Sequence, residues 1–163
     1  MSEAPTVNIR IAVVRIRGEC KLKKGIEDTL KMLRLYRKNS CIVLQNRPAY
    51  TGMLDKVKDF ITWGEINEAT FKALIMKRGK LPGKKPLTEQ YLKDKTKLGF
   101  EDFTKEFFSF KKELKDVPGL KPFFKLHPPL KGFERKGVKR PFSMGGSLGY
   151  RREKINDLIM RML

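Results

Sequence analysis

The chain has 163 residues, with 37 Lys and Arg against 18 Asp and Glu and a formal net charge of +19. This length is typical of one domain, with or without an elaboration. No run of about 18 apolar residues could span a membrane, residues 1–5 lack the layout of a signal peptide, and two cysteines make no disulfide scaffold. We therefore expect a cytoplasmic protein whose surplus cations bind a polyanion, most commonly nucleic acid.

The positive charge is spread over the whole chain. Residues 1–66 carry 13 basic and 7 acidic side chains, residues 67–120 carry 13 and 8, and residues 121–163 carry 11 and 3. A soluble surface without a partner usually mixes both signs and keeps its net charge modest. The distribution therefore favours a phosphate-binding face over a merely solvated surface, and the charge is densest near the C-terminus.

Three strands and two helices are predicted in the first 66 residues. Residues 7–16 are β-branched and become apolar on both faces, which is typical of a central strand. Helical spacing predicts a helix at about 25–37, with Asn39 as its left-handed cap. Strands at 41–44 and 61–66 flank a second helix at about 50–59. The order β-α-β-α-β predicts a compact α+β domain, ferredoxin-like in character.

Residues 67–163 are predicted to form a mainly helical extension with an extended basic tail. Its helices are one at 68–78 capped by Asn67, one from a Thr88 cap to about Gly99, one beginning at Asp102, and one at about 151–162. The Asp102 helix carries a core-facing stripe of Phe103, Phe107, Phe110 and Leu114. We therefore divide the chain into a core at 1–66 and an extension at 67–163 that packs on it.

Residues suited to catalysis are scarce. His127 is the only histidine, and beside two prolines it is more typical of a packing or phosphate-contacting residue than of a general base. Cys20, Cys41 and His127 lack the spacing of metal ligands. The glycines of residues 145–149 do not match the spacing of a dinucleotide-binding loop, but they would let a sugar-phosphate chain approach the backbone. We expect no enzyme activity, no metal, no cofactor and no small-molecule substrate.

The strongest local signal is the basic tail from Lys121 to Lys154. Its cations are Lys121, Lys125, Lys131, Arg135, Lys136, Lys139, Arg140, Arg151, Arg152 and Lys154. Five aromatic residues, Phe123, Phe124, Phe133, Phe142 and Tyr150, are interleaved with them. Cations bind phosphates, and aromatic rings either stack on unpaired bases or fill the core beneath. A flexible solvated loop would not need so many rings.

No helix-turn-helix, zinc finger, basic zipper or RNP1 motif is present in the sequence. Recognition of folded RNA through its shape and backbone suits a dispersed basic surface better than groove reading of DNA. The principal alternative is a free RNA-binding or RNA-chaperone protein. A nucleic-acid enzyme and a basic membrane-surface protein are more distant alternatives.

Four segments resemble one known family. Residues 33–39 read LRLYRKN and residues 48–66 read PAYTGMLDKVKDFITWGEI, which are similar to the signature of the large-subunit ribosomal protein L-thirty family. Residues 124–129 (FKLHPP) and 145–151 (GGSLGYR) resemble its archaeal branch, which is related to eukaryotic L-seven. The resemblance covers nearly the whole chain, and the shorter bacterial form would end near Ile66.

The resemblance implies a structural, non-catalytic protein of the large ribosomal subunit that supports translation. Its expected partners are large-subunit rRNA close to 5S rRNA and neighbouring ribosomal proteins. No binding to a membrane is expected. Carried over by position, the RNA-contacting residues of the core are Arg15, Arg17, Lys21, Lys23, Lys24, Arg34, Arg37, Lys38, Asn39, Arg47, Tyr50, Thr51, Gly52 and Lys56. In the tail, the expected RNA contacts are Lys121, Lys125, His127, Lys131, Arg135, Lys136, Lys139, Arg140, Gly145, Gly146, Tyr150, Arg151 and Arg152.

The start of the second helix has a physical reason to bind RNA, because a helix N-terminus binds phosphate readily. Tyr50 and Trp63 could stack on bases, although Trp63 suits a core position equally well. Many relatives have Arg where this chain has Thr51, and this departure puts a phosphate role at that one residue in doubt.

Overall fold

The computed structural model of the chain describes residues 9–18 and 22–163. Lys21, which is one of the predicted RNA-contacting residues, lies outside the described residues, and so do Val7 and Cys20.

A five-stranded sheet organises the part of the chain that the structure describes. Its strands are β1 (Arg10–Arg15), β2 (Ser40–Gln45), β3 (Ile61–Glu65), β4 (Phe124–Lys125) and β5 (Gly149–Tyr150). They lie in the order β4-β2-β1-β3-β5, and every pair is antiparallel except the parallel pair of β3 and β5. The predicted strands of the core are present, with ends shifted by a few residues.

The described residues form six α-helices. They are α1 (Lys24–Met32), α2 (Pro48–Val57), α3 (Glu68–Arg78), α4 (Glu89–Thr96), α5 (Phe100–Phe108) and α6 (Ile155–Met162). The predicted caps of α3 and α4 are confirmed, because Asn67 Oδ1 accepts a hydrogen bond from the Thr70 N–H at 2.8 Å and Thr88 Oγ1 accepts one from the Tyr91 N–H at 3.4 Å.

Each face of the sheet is buried under a different set of helices. All six residues of β1 are buried, as predicted for a central strand. Ile11 and Val13 lie in a cluster with apolar residues of α1 and α2. Ala12 and Val14 lie in a second cluster with apolar residues of α3, α5 and α6. The predicted fold class, a compact α+β fold with a mainly helical extension, is confirmed.

The first helix ends earlier than its sequence pattern predicts. It stops at Met32 instead of continuing to about residue 37, because Arg34 adopts a left-handed conformation with φ +59°. Asn39 is also left-handed, with φ +62°, but it stands immediately before β2 and does not cap the helix. The backbone between these two residues turns the chain from the helix into the sheet.

The ends of two later helices also differ from the prediction. Helix α5 begins at Phe100 after Gly99, not at Asp102, and it ends at Phe108. Phe110 has φ +61°, and Leu114 begins a separate short 3-10 turn, so the predicted stripe of four residues is split. Residues 152–154 form another 3-10 turn, which delays the start of α6 to Ile155.

The extension supplies both edge strands of the sheet. Strand β4 pairs with β2 through Ser40 and Cys41, and strand β5 pairs with β3 through Thr62 and Trp63. Gly64 allows this second contact to be close, because a Cβ there would lie 2.0 Å from the Arg152 carbonyl oxygen. The sheet is therefore continuous across the division at residue 66, and independent folding of residues 1–66 stays a prediction.

Within residues 9–18 and 22–163, no helix combines the length and the apolar character needed to cross a bilayer.

Truncation after Leu120 tests how the two parts depend on each other. It removes β4, β5 and α6, and it uncovers the sheet face that carries Cys41, whose thiol pKa is raised by burial. In a Cys20→Ser background, we expect the truncated chain to react with a thiol reagent about tenfold faster or more than the full chain. Far-ultraviolet circular dichroism should still report the secondary structure of the core, and its complete loss would contradict independent folding of residues 1–66.

Candidate nucleic-acid interface

Most of the predicted RNA-contacting residues lie on the surface. Those classed as exposed are Lys23, Lys24, Arg34, Arg37, Lys38, Arg47, Thr51, Gly52, Lys56, Lys125, His127, Lys131, Arg135, Lys136, Lys139, Arg140, Gly145, Tyr150 and Arg152. Arg17, Asn39, Tyr50 and Lys121 are partly buried. Three predicted residues, Arg15, Gly146 and Arg151, are buried, and the structure corrects the prediction for them.

Arg15 is a structural residue of the core. Only 2% of the residue is exposed, and its guanidinium donates hydrogen bonds to the Leu35 and Tyr36 carbonyls at 2.7 and 2.8 Å. The same side chain donates to the carbonyl of Arg17 at 3.0 Å. The Leu35 and Tyr36 carbonyls belong to the segment that leaves α1, so Arg15 fixes the path of that segment instead of meeting a phosphate.

Arg151 is the centre of a buried polar network. Its side chain is 1% exposed. It donates to Thr62 Oγ1, to Glu134 Oε1 and to the Ser147 carbonyl, each at 2.8 Å. Its guanidinium also lies 4.8 Å from the ring centre of Phe142. Arg151 therefore ties the tail to β3 and is not accessible to RNA.

Glu134 is the acidic partner in this network. Burial raises the pKa of its carboxyl, but hydrogen bonds from Arg151 and Ser147 outweigh burial and hold the pKa below its usual range. Ser147 donates to the carboxylate at 2.6 Å, and Arg161 of α6 lies 3.7 Å from it. One carboxylate thus fixes the basic loop of residues 131–145 against both the sheet and α6.

Gly146 permits a contact within the protein. A Cβ at this position would lie 2.1 Å from the Arg140 carbonyl oxygen, so only glycine fits against the returning loop. Its neighbour Gly145 has φ +83°, as the turn requires, and it is exposed. The expected approach of a sugar-phosphate chain stays a prediction for Gly145 and is corrected for Gly146.

Strand pairing brings two distant parts of the sequence together. The β2–β4 register places Lys125 opposite Ser40, and the Leu126 N–H donates to the Asn39 carbonyl at 2.9 Å. Tyr36 and Phe123 meet edge to face, with ring centres 5.9 Å apart. We name this region the β2-edge surface, and it comprises Arg34, Arg37, Lys38, Arg47, Tyr50, Lys121 and Lys125.

The start of α2 has fewer free backbone N–H groups than the N-terminus of a helix usually has. Pro48 occupies the first turn and has no N–H. The N–H groups of Tyr50 and Thr51 both donate to the Arg47 carbonyl, at 3.0 and 3.1 Å, and so does the Thr51 hydroxyl at 3.3 Å. Phosphate binding by Thr51 and Gly52 stays a prediction, and the hydroxyl of Thr51 already has a local partner.

The aromatic residues of the tail mostly serve the protein interior. Phe124 is completely buried, and Phe133 packs against the same core cluster. Tyr150 is the exposed ring among the five, and it donates a hydrogen bond to Glu65. Burial and this contact with Glu65 raise the pKa of Tyr150 to about 12. Trp63 is partly buried, with its ring centre 6.4 Å from that of Tyr150.

The sequence patterns did not single out two residues that hold this architecture, Arg10 and Glu134. Arg10 is 4% exposed, its guanidinium lies 3.9 Å from the ring centre of Phe107, and it donates to the Phe107 carbonyl at 2.9 Å. Burial lowers the pKa of Arg10. No sequence signal marks that contact, which joins residues far apart in the chain. An available signal for Glu134 was its position as an isolated acid within the basic tail.

No group of three or more His, Cys, Asp or Glu side chains in the described part of the chain is arranged to hold a metal ion.

Exposed cations grouped on the surface of a folded domain are typical of a nucleic-acid-binding protein. Residues 11–61 match a family model described as "Ribosomal protein L30p/L7e". The chain belongs to the family of large ribosomal subunit protein uL30. The predicted family is confirmed, and it is a family of structural ribosomal proteins.

Curated archaeal relatives extend the match over the whole fold. The chain is 48% identical to "Large ribosomal subunit protein uL30" of Methanopyrus kandleri over 91% of this chain and 100% of the relative. It is 51% identical to the protein of that name from Methanococcus maripaludis, over 93% of this chain and 98% of the relative. The protein of that name from Nanoarchaeum equitans is 48% identical over 93% of this chain and 97% of the relative. The similarity therefore includes the extension as well as the core.

Replacement of Glu134 by Gln tests the buried network. The variant leaves the buried Arg151 cation without its acidic partner, and we expect it to be less stable by about 2 kcal/mol near neutral pH. The folded pKa of Glu134 is below its unfolded value of about 4.3, so its contribution is present above that value and is lost as the pH falls through the folded pKa. Thermal denaturation at about pH 6 and about pH 3 should show a smaller acid-induced loss of stability in the variant.

Glu101→Gln is the matched control, because Glu101 pairs with Lys72 at the surface. If the two substitutions reduced the stability of the protein equally near neutral pH, the special role of Glu134 would be contradicted.

Proposed function

We propose that this chain is a structural component of the large ribosomal subunit and that it binds large-subunit rRNA close to 5S rRNA. The observation that carries the proposal is the exposure of cations at two places that the fold anchors, one through β2–β4 pairing and one through the contact of Arg151 with Glu134. The identity of about half of the residues to relatives named as large ribosomal subunit proteins supports the same role. The protein acts as a scaffold for RNA, in keeping with a family of structural ribosomal proteins.

The first RNA-binding surface is the β2-edge surface. Its cations come from the segment after α1, from the loop before α2 and from the start of the tail, and β2–β4 pairing holds them together. The second surface is the basic loop, which carries Lys131, Arg135, Lys136, Lys139 and Arg140 and is fixed by Glu134 and Arg151. Because the backbone that carries these cations is already held in place, little backbone conformational entropy is lost when they meet phosphates.

Neighbouring ribosomal proteins are the second class of partner. Two of the large exposed apolar side chains lie on helices of the extension, namely Met76 at 50% on α3 and Met160 at 52% on α6. Isolated exposed apolar residues are common on soluble proteins, but methionine adapts well to a protein neighbour. We propose that the helical layer meets proteins while the sheet edge and the basic loop meet RNA.

Salt dependence of rRNA binding tests the proposal. Each phosphate neutralised contributes roughly −0.7 to −0.9 to the slope of log affinity against log salt concentration. We expect Lys136→Ala/Lys139→Ala to make this slope shallower by about 1.5 for RNA extracted from large subunits. Lys93→Ala/Lys95→Ala changes the net charge equally on α4 and should leave the slope unchanged. A wild-type affinity that does not vary with salt would contradict electrostatic rRNA binding.

Cosedimentation distinguishes a resident ribosomal protein from a free RNA-binding or chaperone protein. We expect the chain to remain with large subunits through a high-salt wash, because two separated surfaces must release together. Complete removal at moderate salt, with RNA binding retained by the isolated protein, would favour the free protein.

A further inference from the structure

A groove of about 460 Å³ lies beside the outer edge of β2. One wall is the strand edge, the other is formed by residues 113–115, and Leu33 and Phe107 contribute apolar surface. Tyr50 lines it from α2 and is partly buried. A volume of this order is typical of small-ligand sites. The groove can therefore hold one planar group together with a charged substituent.

The strand edge offers a hydrogen-bond donor and an acceptor to this groove. In the β1–β2 register, Ile42 and Leu44 face β1, while Cys41 faces β4. Val43 is the next outward residue after Cys41, and β4 does not extend to it. Its N–H and C=O consequently project toward the groove, spaced as an adjacent donor and acceptor. A nucleobase presents a complementary donor and acceptor on its Watson–Crick edge.

The charge of the groove favours an anionic ligand. Arg34, Arg47 and Lys115 are exposed and line it, and the guanidinium of Arg10 contributes from inside. Among the described residues that line the groove, the single acidic one is Glu113, whose carboxylate already accepts a hydrogen bond from the Asp116 N–H in a capping box. Three exposed cations, beside an Arg10 that is bonded within the protein, face one internally engaged carboxylate. This balance matches a phosphate better than an acceptor-rich neutral ligand.

The backbone of Arg34 allows its guanidinium to be tested. Its φ of +59° is a conformation that glycine adopts without steric cost and that arginine adopts only with strain. Lys97 has the same φ outside the groove, so the conformation alone assigns no role. Arg34 is exposed and lines the groove, so its replacement by glycine removes the guanidinium without a loss of buried contacts.

We propose that this groove binds a single unpaired nucleotide of rRNA. The base stacks on Tyr50 and its edge bonds to the Val43 backbone, while the phosphate meets Arg34 and Arg47. The inference rests on the proposed function and deepens it. Part of the β2-edge surface would then recognise an RNA base in addition to the RNA phosphate backbone. An added protein strand fits less well, since β4 already occupies Ser40 and Cys41 on this edge.

The test uses the full-length protein and RNA extracted from purified large subunits. We expect Arg34→Gly to weaken binding about tenfold while its melting temperature stays equal or rises. Lys97→Gly is the matched control, because Lys97 is also left-handed at φ +59° but ends α4, outside the groove. It should gain or keep stability in the same way and retain wild-type affinity within about twofold.

Tyr50 provides a second pair of variants. Tyr50→Leu removes the stacking ring and should weaken binding about tenfold, whereas Tyr50→Phe keeps the ring and should bind like the wild type. Ultraviolet crosslinking followed by mass spectrometry should find a nucleotide attached to the peptide that contains Tyr50. Wild-type affinity in both Arg34→Gly and Tyr50→Leu would overturn the inference.

Two further outcomes separate the inference from the function beneath it. Wild-type protein that fails to bind the RNA at all would contradict the proposed function itself. RNA binding that is normal in every variant would contradict only the nucleotide groove. Competition at the groove by a polyglutamate peptide, without competition by nucleoside monophosphates, would indicate an acidic protein segment and would also overturn the inference.

Discussion

Backbone hydrogen bonding at the two outer edges of the sheet is the interaction on which the rest of the molecule depends. Strands β4 and β5 are only two residues long, yet they attach the extension to β2 on one side and to β3 on the other. This pairing holds α6 over the second face of the sheet and closes the larger core cluster. It also sets Lys125 opposite Ser40 and anchors the basic loop, so the same pairing determines the stability of the fold and the shape of the cationic surface.

Arginine has two opposite uses in this protein. Arg10, Arg15 and Arg151 are buried and bind backbone carbonyls or Glu134, because a planar guanidinium can satisfy several acceptors at once. The exposed arginines and lysines remain for an external polyanion. The net charge of +19 therefore overstates the charge on the surface that is available to RNA. A buried arginine is also costly to desolvate, which makes each of these internal contacts specific to one conformation.

Local patterns in the sequence predicted the elements well and their ends less well. Helix α3 and its Asn67 cap follow from apolar spacing and one side-chain hydrogen bond, both of which are local. The end of α1 depends on the left-handed Arg34, and the split of the phenylalanine stripe depends on the left-handed Phe110. Neither conformation has a clear sequence signal in a residue other than glycine or asparagine.

The sequence predicted which kinds of residue form the candidate interface. It did not predict which of them are buried or which lie next to each other in the fold. Exposure of Lys136 or Arg140 follows from a basic, glycine-rich and proline-rich segment, whereas burial of Arg15 depends on carbonyls that only the folded backbone brings together. The β2-edge surface combines residues near 35 with residues near 125, and only strand pairing reveals that they are neighbours.

The late position of α6 in the chain has a consequence for biosynthesis. Contacts that close the second core, such as Arg151 to Thr62 and Asn156 to Glu65, join residues about 90 positions apart. Since translation proceeds from the N-terminus, the three central strands emerge well before the residues that cover one of their faces. A nascent chain would expose that apolar face until the extension is made, so a chaperone or early docking on RNA would protect it from aggregation.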